Sequence, residues 1–232
     1  MIKTLDTPKI KNFWNKNNSR IVLIFLLAIF LFYTIFVAVL LQPGIIPDEP
    51  AHFVFSKHFS TSLGLPPDVT ETYRLGWYIE QNPFLFYWVN GRIIDLLELI
   101  HPSITERQLL VSLRMVNVLY SIGTIWFSYL ISKSLIKNKW WQLLPVFLLT
   151  HTLMFTFLSG GISYDNLANL FSMAGIYYLL RVFQHKDFLT NSLGWTISIM
   201  AGCLVKYTIL PLALIMSFTW VVYYLINKKL MN

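Results

Sequence analysis

The sequence predicts an all-α fold, a polytopic transmembrane helical bundle of about six spans with interfacial amphipathic helices in a long first outer loop. Three observations predict it. Of 232 residues, 56% are hydrophobic and only 12% charged, whereas a soluble domain carries about a quarter charged residues. Apolar runs recur at about the 20-residue length that crosses a hydrocarbon core. Twelve of the 18 Lys and Arg residues gather at the N-terminus, in short connections and near the C-terminal end. The same composition excludes an intrinsically disordered chain, and Cys203, the single cysteine, excludes a disulfide scaffold.

A basic, Asn-rich tail (residues 1–20) precedes the first span, residues 21–41, which has no small-residue cleavage site after it and so reads as an anchor rather than a signal peptide. Residues 42–107 form the outer loop and hold eight of the eleven acidic residues. Pro43, Gly44, Pro47, Pro50, Gly64, Pro66 and Pro67 break this loop into short pieces. Between the breaks, 51–60 and 84–100 have amphipathic patterns, with Arg92, Asp95 and Glu98 along one side of a helix. Trp77, Tyr78, Phe84, Phe86, Tyr87 and Trp88 suit helices lying in the headgroup layer. Further spans are expected at about 109–131, 140–158 and 162–182. The apolar stretch 188–226 is too long for one span, so it reads as two with a turn at 205–207, where Lys206 and Pro211 interrupt it.

Orientation follows from the basic residues in short loops. With the N-terminus cytoplasmic, Lys133, Lys137, Lys139, Arg181, Lys186, Lys228 and Lys229 also fall in the cytoplasm. The acidic loop, the 159–165 turn and Lys206 then fall outside, as in a multi-pass plasma-membrane protein. The net charge of +7 is thereby explained by topology, and no basic helix or stacking sheet points to nucleic acid.

Residues able to do chemistry gather on that outer side. Asp48 and Glu49 follow the first span directly, where two adjacent carboxylates are costly unless hydrated, paired or used. One can serve as a general base, or Asp48 can simply cap a helix that has Pro50 in its first turn. Asp165 enters the fourth span behind Gly160 and Gly161, and Asn166 and Asn169 extend a polar face. Lys206 and Tyr207 sit where the long apolar stretch turns, and Lys206 can snorkel or hold an anionic headgroup. Arg114, with Asn117 three residues on, offers either a salt bridge or a second phosphate contact. Metal sites are poorly supported: Asp48, Glu49 and His52 offer oxygen and nitrogen ligands for a divalent cation, Mg or Mn, but adjacent acids rarely share one ion with ideal geometry, and no zinc spacing or nucleotide-binding glycine loop is present. His58, His101, His151 and His185 are scattered.

The layout of an acidic pair after the first span, a large outer loop, and an Asp at the third-to-fourth turn resembles the GT-C membrane glycosyltransferases. Within them, Pro47-Asp48-Glu49-Pro50-Ala51-His52-Phe53 closely resembles the opening motif of the DUF2142 family of membrane proteins. The run Gly160-Gly161-Ile162-Ser163-Tyr164-Asp165-Asn166-Leu167-Ala168-Asn169 and then Lys206-Tyr207-Thr208 resemble that family's later motifs in the same order. The chain departs from the family at Asn82-Pro83-Phe84-Leu85-Phe86-Tyr87, where the family tends to carry His-Pro-Pro before paired tyrosines. The resemblance implies inverting transfer of a sugar from a polyprenyl-phosphate donor to an acceptor on the extracytoplasmic face. It implies Asp48 as base and Glu49 as an orienting carboxylate, both catalytic. It places Asp165 in the same cleft and Lys206 on the donor phosphate; with them, His52, Arg114, Tyr164, Asn169 and Tyr207 are expected to bind substrate. GT-C enzymes usually have eight or more spans, so the chain is expected to be the N-terminal part of one or to work with an additional membrane subunit. The competing expectation is a non-catalytic lipid-binding or scaffold protein of the same fold. A small transporter is disfavoured because the mid-span regions are almost uniformly apolar.

Overall fold

The computed structural model describes residues 7–64, 70–75, 82–184 and 186–231, and these contain helices and no strand. Helix α1 (Thr7–Leu40) starts well ahead of the expected span, so much of the basic tail is helical. Pro8 lies in its first turn, where a missing N–H costs nothing. The apolar part is Asn18–Leu40.

The outer loop carries α2 (Glu49–Ser60), α3 (Thr70–Leu75) and α4 (Leu85–Ile100). Helices α2 and α4 pack closely at Gly91, where an added Cβ would stand 2.8 Å from the backbone of Phe59. Arg92 donates to the carbonyls of Phe59 and Ser62, closing the end of α2, and pairs with Asp95 at 3.0 Å. The expected amphipathic segments are thus helices, although Pro66, Pro67, Trp77, Tyr78 and also His185 lie outside the described residues.

Helix α5 (Glu106–Leu135) opens with a capping box in which Thr105 and Gln108 satisfy each other's backbone N–H. The third expected span is not one helix. A 3₁₀ turn (Trp141–Leu143) leads into α6 (Leu144–His151), and α7 (Leu153–Ser159) follows at an angle of 67°. The cause is local. Thr150 and Thr152 hydroxyls donate to the carbonyls of Val146 and Leu148, and His151 Nδ1 lies 2.9 Å from the carbonyl of Phe147. Side chains thereby compete with the helical ladder, and the chain bends at an extended Thr152. Helix α8 (Tyr164–Phe183) is followed by α9 (Phe188–Val205), a 3₁₀ turn (Tyr207–Ile209) and α10 (Leu210–Met231). The break at Lys206 falls where the sequence places it.

Among the described residues, four helices are long and apolar enough to cross a membrane, or five spans if the bent pair counts as one. The 20-residue α8 is long enough but not among the sufficiently apolar ones. The long elements alternate in direction. The end of α1 meets the start of α5 at Arg114, while Leu23, Leu26 and Phe30 share a cluster with Ile125 further along. The bent pair climbs α1 from Leu143 and Val146 beside Leu26, through Phe155 on Phe30, to Gly160 against Val37. Helix α8 then runs parallel to α5, from Asn166 beside Asn117 to Gln184 beside Ser134. Helix α9 returns beside it until Lys206 meets Asp165, and α10 descends again to Tyr223 against Phe183.

Large apolar side chains remain exposed along α1 (Phe25, Phe32, Phe36) and α10 (Leu214, Phe218, Ile226). Only 11% of the apolar window in the last helix is buried inside the protein. So much bare apolar surface suits lipid rather than water. A separate buried cluster (Phe53, Phe59, Phe86, Tyr87, Leu113, Ile162, Leu167, Val205) fills the end where α2 and α4 lie over α5, α8 and α9.

Candidate functional site

The site lies at that end. Glu49 begins α2, and its carboxylate is engaged by two different elements. Arg114 Nε and Nη2 donate to Oε1 and Oε2 at 2.7 and 2.6 Å, and the Ile162 N–H donates to Oε1 at 3.2 Å. Both side chains are essentially inaccessible, at 1% and 0% exposure. The remaining guanidinium donors go to Ala38 at 3.0 Å, Leu41 at 2.8 Å and Gln42 at 3.5 Å, all carbonyls at the end of α1. A cation there satisfies helix-terminal acceptors and complements the dipole. Arg114 therefore has no donor left for a ligand, and Glu49 keeps α1, α2, α5 and the 160–163 turn in one place.

Asp48, one residue earlier, is exposed and makes no side-chain cap bond, so the expected N-cap interaction does not form. Its backbone is left-handed (φ 59°), a conformation that costs a non-glycine residue free energy and is held by the structure around it. His52, a turn further along, is buried; its Nδ1 lies 3.0 Å from the Tyr87 hydroxyl and its ring packs edge-on to Tyr164 at 4.6 Å. The Lys206 ammonium sits over the same Tyr164 ring at 4.6 Å and is ion-paired with Asp165. Burial pushes the His52 imidazole down to about 4, offset by the charges of Asp48 and Asp165 and reinforced by Lys206. Burial also raises the Tyr87 phenol. His52 is thus neutral near pH 7 and stands within the field of groups from three distant stretches: Asp48, Asp165 and Lys206.

A second polar layer holds the turn. Asn117 Oδ1 accepts from the Ser163 N–H and from Asn166 Nδ2, each at 3.2 Å, and Asn166 Oδ1 accepts from Ser121 at 3.2 Å. Ser163 in turn accepts from the Asp165 N–H at 3.2 Å, capping α8. Asn166 therefore points into the bundle as a structural amide, whereas Asn169 is exposed, one turn beyond Asp165. Tyr207 is exposed at the turn after α9, next to Lys206. Gly160 and Gly161 are needed for packing: a Cβ would come within 2.5 Å of Val37 and of Ile46.

Tyr87 and Ser121 were not legible as site residues. The buried stripe Arg114, Asn117, Ser121, Thr124, Ser128 and Ser132 follows helical spacing on α5 and is a signal that would have found Ser121. Tyr87, one aromatic among several, carries no such mark. Among the described residues no group of three His, Cys, Asp or Glu is placed to hold a metal ion. The Asp48, Glu49 and His52 set does not fit a divalent cation, because Glu49 is spent on Arg114 and Ile162 and His52 Nδ1 on Tyr87.

Fold and site together define an all-helical protein with several helices able to cross a membrane and a cluster of ionisable groups at one end. No family model, curated protein or solved structure matches the chain.

Proposed function

We propose that the chain is a GT-C-like membrane glycosyltransferase, or the N-terminal part of one, working on the extracytoplasmic face of the plasma membrane. Its six alternating elements, the bent pair and α8 included, each cross the bilayer once, with the N-terminus in the cytoplasm. The donor is a polyprenyl-phosphate sugar. Asp48 takes the proton of the acceptor hydroxyl as its oxygen bonds to the anomeric carbon. The bond from that carbon to the phosphate breaks on the opposite face, inverting the centre, and Lys206 stabilises the departing phosphate as a point charge. His52, Tyr164, Asp165, Asn169 and Tyr207 line the cleft, while Glu49 and Arg114 act as positioning residues.

One observation carries this reading: Asp48, exposed on left-handed backbone, opens the helix that bears the buried His52, and Tyr164 lies between the His52 ring and the Lys206 ammonium, 4.6 Å from each. This supports placing the base and the phosphate-binding cation at one site. Asp48→Asn removes the proton acceptor at nearly constant shape. With polyprenyl-phosphate hexose as donor, transfer by the purified variant falls by about 10²–10⁴, with membrane insertion and melting unchanged. Undiminished transfer contradicts Asp48 as base.

The pairing of Lys206 with Asp165 favours a second reading, a lipid-binding protein of the same fold without chemistry. That protein binds polyprenyl phosphate but turns over no sugar, and neutralising Asp48 leaves its binding unaltered.

A further inference from the structure

A cavity lies on the other side of α2 from His52. It measures about 400 Å³ and runs between the loop after α1, α2 and the start of α5, with walls of Pro43, Pro50, Phe53, Val54 and Leu110. Three ionisable residues also line it: Glu49, Glu106 and Arg107. Two of these charges are already answered. Glu49 is neutralised by Arg114, and Glu106 by Lys57 at 2.7 Å. Arg107 is exposed and, among the described residues, makes no ion pair or hydrogen bond. Its guanidinium is the one uncompensated charge on the wall.

Arg107 also lines an adjoining groove with Val39, Thr105, Gln108, Val111 and Ser112, so it stands between an apolar hollow and a polar one. On the α1 side this surface continues into exposed Phe36, Val39 and Leu40. An amphiphile in the bilayer can therefore enter sideways without crossing water. A site of this size, mostly apolar with one fixed charge, fits a chain-bearing anion. A free anion leaves the apolar walls bare, and a neutral lipid leaves the guanidinium unanswered.

We infer that this cavity holds one anionic glycerophospholipid, with its phosphate on Arg107 and an acyl chain between α2 and the start of α5. The site is separate from the Asp48 and Lys206 cluster and does not depend on sugar transfer. Binding there would brace α2, whose opposite face carries His52.

The test is native mass spectrometry of the full chain in detergent, titrated with phosphatidylglycerol, diacylglycerol or inorganic phosphate. Wild type retains one phosphatidylglycerol and neither of the other two. Arg107→Gln weakens retention about tenfold, loss of a charge-assisted contact. Val54→Trp, which fills the apolar hollow and leaves every charge in place, weakens it similarly. Lys133→Gln, at the far end of α5, leaves retention unchanged, and helix content by circular dichroism shows that each variant is folded. Equal retention by Arg107→Gln, or equal binding of diacylglycerol or inorganic phosphate, overturns the assignment.

Discussion

Peptide neighbours Asp48 and Glu49 meet opposite environments, and the difference decides what each can do. Glu49 gives both oxygens to a fully buried guanidinium and a backbone N–H, whereas Asp48 is exposed on left-handed backbone without a capping bond. Sequence alone marks the pair as noteworthy but cannot separate its members, because the separation depends on where Arg114 lands, 65 residues away. The buried His52 makes a measurable signature. Its folded value near 4 lies below the ordinary 6.5, so the unfolded chain takes up a proton that the folded chain refuses. Stability present above pH 6.5 is therefore lost as pH falls towards 4, by about 3 kcal/mol at most. Thermal unfolding in detergent should show this decline, and His52→Gln should flatten it; an unchanged slope would mean His52 is not the group. The Lys206–Asp165 pair makes a prediction of sign. On the proposed function donor phosphate competes with Asp165 for the ammonium, so Asp165→Asn should tighten polyprenyl-phosphate binding by about threefold. Lys206→Gln should weaken it by about tenfold. Weaker binding by Asp165→Asn contradicts the competition.

Among the elements, the breaks decide where the site forms. The interruption at Lys206 was legible, since a lysine and a proline cannot both sit comfortably in mid-membrane helix. The bend at Thr152 was not, because Thr150, His151 and Thr152 read as ordinary residues of an apolar run until their side chains are seen on the helical carbonyls. Early helix in α1 was hidden for the converse reason: a charged, Asn-rich stretch has no apolar period to announce it. The buried Glu49–Arg114 pair joins four elements, so losing one partner strands the other charge. Glu49→Gln or Arg114→Leu should cost about 3–5 kcal/mol in unfolding free energy. Asp48→Asn should cost little. Comparable melting for all three variants would show that the clamp does not hold the elements together.

For the whole molecule, the apolar content announces a membrane protein, and five of the six expected apolar segments overlap the apolar helices or bent pair found among the described residues. Helix α8 is the exception, and its reason is physical: Asp165, Asn166 and Asn169 at one end and Arg181 at the other dilute its apolar character. In the bundle Asn166 is buried against Asn117 and Ser121, so polarity that reads as a weak span is spent on internal hydrogen bonds. Convergence of the three motifs was inferable only through the topology, because no local pattern links residues near 48, 165 and 206. Packing supplies the link by running α9 back along α8 so that Lys206 returns to Asp165.

The central claim is that these three stretches share one pocket on the outer side, and single-cysteine labelling tests it most directly. In a Cys203→Ala background, Asp48→Cys and Tyr207→Cys each offer an exposed thiol to a membrane-impermeant reagent on intact cells. Both should label from outside, and polyprenyl phosphate should slow labelling of both in the purified protein. Labelling from opposite sides, or protection of one without the other, contradicts the account.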